Sequence, residues 1–282
     1  MLKRIVTAVI ALAILLPFLI FSGEVPFLIP ILATLLSLVA LWEFFSCVGV
    51  QRDLWVTLPA YLLPPALNAG SVIMGNPEKY LILCIAAMVG YLFYLFLVAV
   101  LRRGTFSFAR LCEVAVMTGY ITFGFLSLPL LRHHVVGGGY LYLLVFVGAW
   151  VTDTFAYFTG RFLGKHKLAP EISPKKTVEG AIGGTLFTMG AFPLYGLIVS
   201  KLCAVTPNYL VLVLFGLIAA VVSQIGDLIA SLIKREHEIK DYGRLFPGHG
   251  GVLDRFDSIL ALCPVLLLLS IIGSGWLSPF SL

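Results

Sequence analysis

Residues 208–236 read NYLVLVLFGLIAAVVSQIGDLIASLIKRE: no charge appears before Asp227, and the stretch closes on Lys234, Arg235 and Glu236. A helix that crosses a bilayer needs about 20 predominantly apolar residues, and 208–232 supplies them. An aspartate in such a run costs several kcal/mol and therefore faces a polar cavity or a partner. Residues four apart overlie one another on a helix, so Ser223, Asp227, Ser231 and Lys234 form one polar stripe. The stripe descends from within the bilayer to its edge. Small polar residues also hold membrane helices together, which accounts for the two serines alone; the aspartate among them points to function.

Working outward, the rest of the chain is of the same kind. Of its 282 residues 60% are hydrophobic and 12% charged, where soluble domains carry about 25% charged residues. Mean hydropathy is +1.03. This excludes a soluble globular protein and leaves no room for a separate soluble domain. Nine segments are apolar and long enough to span a bilayer, near 5–22, 27–45, 54–74, 80–101, 108–131, 140–160, 180–200, 208–232 and 258–280. The third is expected to kink at Pro59, Pro64 and Pro65. The first, MLKRIVTAVIALAILLPFLIF, is longer than a signal-peptide core and no A-x-A-like site follows, so it reads as a retained span. The fold expected is an all-α integral membrane protein, a polytopic bundle of about nine helices with a polar cavity facing the cytoplasm. It divides into N-terminal helices over 1–135 and a C-terminal catalytic region over 136–282, with polar loops at 161–179 and 233–257.

Charge sorting sets the orientation. All but Lys79, Arg132 and Lys201 of the 19 Lys and Arg fall on the side of the N-terminus and of both polar loops. Cytoplasmic loops carry such an excess. The N-terminus and those loops are therefore expected in the cytoplasm and the C-terminus outside, in a cell inner (plasma) membrane. The net charge of +5 reads as this topology signal, with no nucleic-acid partner. The five cysteines form no CxxC pair and read as small buried side chains.

The loop after the stripe, KDYGRLFPGHGGVLDRFDS (240–258), cannot pack as an ordinary core. Asp254 and Asp257 are three apart and share a face if the last helix starts near Gly251. With Asp227 they make a hard, oxygen-rich set that suits Mg²⁺, which binds through one or two carboxylates plus substrate phosphates. Gly248, Gly250 and Gly251 let backbone N–H groups approach an anion. Lys234, Arg235, Lys240, Arg244 and Arg255 can pair with phosphate oxygens. His249 has two readings, a phosphate donor or acid–base group and a loop-ordering hydrogen bond, and both stay open. The other loop, YFTGRFLGKHKLAPEISPKKTVEG, gathers Lys165, Lys167, Lys175 and Lys176 beside Ser173 and follows Asp153. It reads as a polyphosphate-binding loop, although no GxxxxGK[ST] sequence occurs. Glu43 and Glu113, near span ends, read as structural or interfacial.

SLIKREHEIKDYGRLFPGHGGVLDRFDS resembles the signature of the phosphatidate cytidylyltransferases, the CDP-diacylglycerol synthases. Ser231, Lys234, Arg235, Lys240, Asp241, Pro247, His249, Gly250, Gly251, Asp254, Arg255 and Asp257 all fall on the pattern S-x-K-R, K-D and P-x-H-G-G-x-x-D-R-x-D. ISPKKTVEG is similar to a second family element, with Val178 where Trp is usual. The first five spans share only their hydrophobicity with the family. The resemblance implies an enzyme joining CTP and phosphatidic acid into CDP-diacylglycerol and pyrophosphate, dependent on Mg²⁺, with K⁺ admitted as a second ion, and a homodimer among membrane lipids. It places Asp227, Asp254 and Asp257 at the metal, and Lys234 and Arg235 beside them in catalysis. Lys167, Ser173, Lys175, Lys176, Ser223, Lys240, Asp241, His249, Gly250, Gly251 and Arg255 would bind substrate. Two other readings are weighed: a CTP-dependent lipid kinase, which would release CDP, and an ion-coupled transporter using Asp153 and Asp227, which leaves the phosphate-binding loops unexplained.

Overall fold

Continuous apolar runs bury their backbone polar groups only by pairing them internally, and in lipid a helix does this within one segment. The computed structural model describes residues 9, 13–102, 107–203, 205–246, 248, 250–273 and 278–281. Among them eight helices are long and apolar enough to cross a membrane. These are α1 (Leu28–Val48), α2 (Leu54–Ile73), α3 (Pro77–Leu101), α4 (Phe108–His133), α5 (Gly138–Leu163), α6 (Val178–Leu202), α7 (Tyr209–Glu236) and α8 (Leu253–Ile272). Part of the first expected span lies outside the described residues, and Ala13–Gly23 is a shorter apolar helix. Large side chains such as Phe162 and Leu202 stand three-quarters or more exposed, at 75% and 79%, a surface that only lipid tolerates. The chain is an all-α, multi-pass membrane protein.

Two helices bear on the sequence reading. α2 runs unbroken through Pro59, Pro64 and Pro65. Prolines are tolerated inside membrane helices because neighbours and local adjustments re-satisfy the freed carbonyls. Its start is fixed by Asp53, whose side chain accepts from the Trp55 N–H at 3.1 Å. The last helix begins at Leu253, earlier than the apolar run at 258, so both Asp254 and Asp257 lie inside its first turns.

The described chain falls into two compact units. One comprises residues up to Pro129 together with Ile239–Arg255. In it α1 packs on α2 and α2 on α3, and the Tyr80 hydroxyl of α3 donates to the Leu67 carbonyl of α2 at 2.9 Å. The other comprises Leu130–Glu238 and the chain from Phe256 onward. There α5, α6 and α7 pack against one another. Small residues let them approach closely, as is usual where lipid removes the hydrophobic drive for helix association. A Cβ on Gly148 of α5 would come within 2.9 Å of Leu262 of α8, and 3.4 Å of both Ala219 of α7 and Phe192 of α6. A short antiparallel hairpin, β1 (Lys167–Ala169) and β2 (Ser173–Thr177), joins α5 to α6 with Lys167 opposite Thr177 and Ala169 opposite Ser173. A second pair, β3 (Thr206–Pro207) and β4 (Phe280–Ser281), ties the start of α7 to the C-terminal segment.

Candidate functional site

In the unit that holds α5 to α7, the hairpin is built by its flanks. Thr177 caps α6, its hydroxyl accepting from the Gly180 N–H at 3.1 Å. Glu179, in the first turn of α6, accepts from the backbone N–H of Lys165 at 3.0 Å and of His166 at 3.2 Å. It also meets His166 Nδ1 at 2.6 Å. Acids are favoured at a helix N-terminus, and this one pins the chain that enters β1. The hairpin thus presents Lys167 and Lys175 exposed and Ser173 half-buried. Across the connection, the Arg235 guanidinium donates from Nε to the Ile172 carbonyl at 3.3 Å.

Lys176 points the other way. Its ammonium pairs with Asp227 Oδ2 at 2.7 Å, with side chains 22% and 31% exposed. The nitrogen is buried, and the pair rests on charge: no directed hydrogen bond reaches it among the described residues. The polar stripe of α7 lies as its spacing requires, with the Ser231 hydroxyl donating to Asp227 Oδ1 at 3.3 Å. One turn before Asp227, Ser223 is fully buried, and its hydroxyl has no partner among the described residues. Asp257 joins from α8: Asp227, Asp153 and Lys234 are its charged neighbours, and the Ser258 N–H donates to its Oδ1 at 2.7 Å. Gly226 makes the approach possible. A Cβ there would sit 2.8 Å from the Asp257 carbonyl and 2.7 Å from the Ala261 Cβ.

The donors present fit a magnesium ion carried in with phosphates. Among the described residues no group of three His, Cys, Asp or Glu could hold a metal by itself. Among the described residues the donors are two adjoining carboxylates, Asp227 and Asp257, with Asp153 a further acidic neighbour of Asp257 and the Ser223 hydroxyl one turn from Asp227. Mg²⁺ commonly takes only one or two carboxylates, completing its shell from waters and substrate phosphates.

In the other unit the glycine loop is closed on itself. Phe246 and Gly250 exchange backbone hydrogen bonds of 2.9 and 3.1 Å. Gly250 adopts φ +89°, a conformation that favours glycine. Asp254, buried at 9% exposure, turns into this loop. Its Oδ2 accepts from the N–H groups of Tyr242 at 2.8 Å and Gly251 at 2.9 Å. Lys240, Asp241, Arg244 and Arg255 stand exposed around it. His249 lies outside the described residues.

A residue outside the expected site set closes the structure of this loop. Glu43 of α1 is fully buried, and its two oxygens accept from the N–H groups of Val252 and Leu253, each at 2.9 Å. Those donors open α8, which explains why the helix begins at Leu253. Sequence reading left Glu43 as structural or interfacial because nothing local ties it to a loop 209 residues away. Glu179 was missed for a different reason: it follows the basic run directly and looks like an ordinary solvated helix-start acid.

Comparison with known proteins extends these observations to the whole chain. The model of the cytidylyltransferase family matches residues 2–272. A phosphatidate cytidylyltransferase of Staphylococcus epidermidis is 34% identical over 269 residues, covering 95% of this chain and 98% of its own. The protein of the same name from Staphylococcus haemolyticus is 34% identical over 272 residues, with the same coverage. That from Staphylococcus aureus is 35% identical over 274 residues, covering 95% of this chain and 98% of its own.

Proposed function

Since the chain belongs to the cytidylyltransferase family, we propose that it joins CTP to phosphatidic acid, releasing pyrophosphate and leaving CDP-diacylglycerol in the membrane. The observation that carries this reading is the Lys176–Asp227–Asp257 cluster, a cation on the hairpin and two adjoining acids, one within α7 and one in the first turns of α8. Phosphate groups and a divalent ion are the ligands such a cluster suits.

The chemistry asks little covalent work of the protein. An oxygen of the lipid phosphate attacks the α-phosphorus of CTP, a new P–O bond forms, and the bond to the β-phosphate breaks as pyrophosphate leaves. A phosphate monoester is already ionised near neutral pH, so no general base is required. What remains is to bring two anions together and to stabilise charge at the α-phosphate and the leaving group. Asp227 and Asp257 would hold Mg²⁺, which supplies charge neutralisation on the triphosphate when bound. Ser223 lies one turn from Asp227 to complete the polar face. Lys167, Ser173, Lys175 and Lys176 on the hairpin, with Lys234 and Arg235 at the end of α7, take phosphate oxygens. Lys240, His249 and Arg255 of the glycine loop do the same, whereas the Gly250 and Gly251 N–H groups, expected to bind substrate, are taken up within the loop. Asp254 and Asp241 order that loop, Asp254 through the two N–H groups it already accepts.

Lys and Arg asymmetry supports an N-terminus and polar loops in the cytoplasm, where CTP is found, and a C-terminus on the far side. Two acyl chains can then stay in hydrocarbon while the nucleotide arrives from water. Purified protein in detergent with CTP, phosphatidic acid and Mg²⁺ is expected to release pyrophosphate in step with CDP-diacylglycerol. CDP as the nucleotide product would replace this reading with a lipid kinase.

A further inference from the structure

A buried acid in an apolar helix is stabilised only where it is fully hydrogen-bonded. Among the described residues Glu43 meets that condition through the glycine loop. Its two oxygens receive the Val252 and Leu253 N–H groups, each at 2.9 Å, so its charge sits on the positive end of α8. The loop is shaped around it from both sides: a Cβ on either Gly243 or Gly251 would collide with the Glu43 carboxyl group. Asp254 is its charged neighbour and takes the N–H groups of Tyr242 and Gly251. Two carboxylates, one from α1 and one from α8, therefore collect four loop N–H groups between residues 242 and 253. A neutral serine or asparagine would cap a helix adequately. A buried charge that reaches two consecutive N–H groups at once does more, because it sets the position of the loop as well as ending its helix.

We propose that Glu43 is a positioning residue for nucleotidyl transfer. It holds residues 250–255 in the conformation that presents Arg255 to phosphate, and the role rests on the function proposed above. It reaches the reaction only through that loop and touches no substrate.

The test uses full-length protein in detergent, comparing wild type with Glu43→Gln, which keeps the shape but turns one acceptor into a donor facing an N–H group. Turnover per folded molecule is expected to fall at least tenfold with KM for CTP changed less than threefold. Such a pattern marks an interaction made in the transition state. Amide hydrogen exchange is expected to rise in 242–254 and to stay unchanged in α6 and α7. Tyr80→Phe, which removes the hydrogen bond to Leu67, serves as a control: it lowers thermal stability and leaves turnover within twofold. Should Glu43→Gln fail to fold, Gly243→Ala carries the test, its methyl group pressing the same carboxyl from the loop side, with the same pattern expected. A folded variant whose turnover stays within twofold of an active wild type overturns the positioning role. So does a fall in turnover without faster exchange in the loop. Wild-type protein that releases no pyrophosphate overturns the functional reading, and the positioning role with it.

Discussion

Asp227 carries two claims on its charge. Lys176 neutralises it at 2.7 Å, and the proposed divalent ion requires the same oxygens. A pair whose side chains keep 22% and 31% exposure contributes only about 1 kcal/mol, so it can be exchanged. A triphosphate, with several charges, draws the lysine away more strongly than one carboxylate holds it. Lys176→Met removes the competitor. In the absence of nucleotide, Mn²⁺ is then expected to bind up to about fivefold more tightly, equivalent to about 1 kcal/mol, as measured by the loss of the free-ion paramagnetic signal. Turnover is expected to fall at least tenfold, because the cation that should meet phosphate is gone. Unchanged Mn²⁺ affinity would mean that the pair does not guard the metal position.

At the scale of elements, the contact between α7 and α8 decides whether the two acids meet. Gly226 leaves room for the backbone of α8 beside Asp257, and a Cβ there would stand 2.7–2.8 Å from Ala261 and the Asp257 carbonyl. Gly226→Leu is therefore an overpacking change, of the order of 1–3 kcal/mol. It is expected to lower the thermal unfolding temperature and to weaken Mn²⁺ binding, whereas Gly90→Leu, where a Cβ meets nothing within 4 Å, changes neither. The hairpin between β1 and β2 depends on a similarly local device. Thr177 and Glu179 bind the two ends of the turn into α6, so the lysines of the loop are displayed from a fixed base.

For the whole molecule, the prediction concerns which loop faces which compartment. In a cysteine-free background, Lys175→Cys is expected to react with a membrane-impermeant thiol reagent only from the cytoplasmic face. Lys201→Cys should react only from the opposite face. Labelling of Lys175→Cys from outside intact cells would reverse the orientation and remove the nucleotide supply from the hairpin. The described structure accords with a multi-pass chain, with eight helices long and apolar enough to cross. One unit contains the hairpin, Asp227 and Asp257, and the other the glycine loop with Asp254 and Glu43.

Periodicity and hydropathy alone determined that the chain is a helical membrane protein. In lipid, a continuous apolar run has only one way to pair its backbone. They determined also that Ser223, Asp227 and Ser231 share a face, because helical spacing is local geometry. The tight spacing of the glycine loop and the DRFD run pointed to the family, since those residues are neighbours in the chain. Local pattern did not show what fixes the start of α8, because that is set by a partner elsewhere in the chain. What only the tertiary structure decided is which acid does what. Asp254 is taken up by loop N–H groups, Asp257 lies beside Asp227, Lys176 pairs with Asp227, and Glu43 caps α8 from 209 residues away. The reason is physical: a carboxylate's role follows from the donors and charges around it, and packing brings those from segments that sequence spacing does not connect.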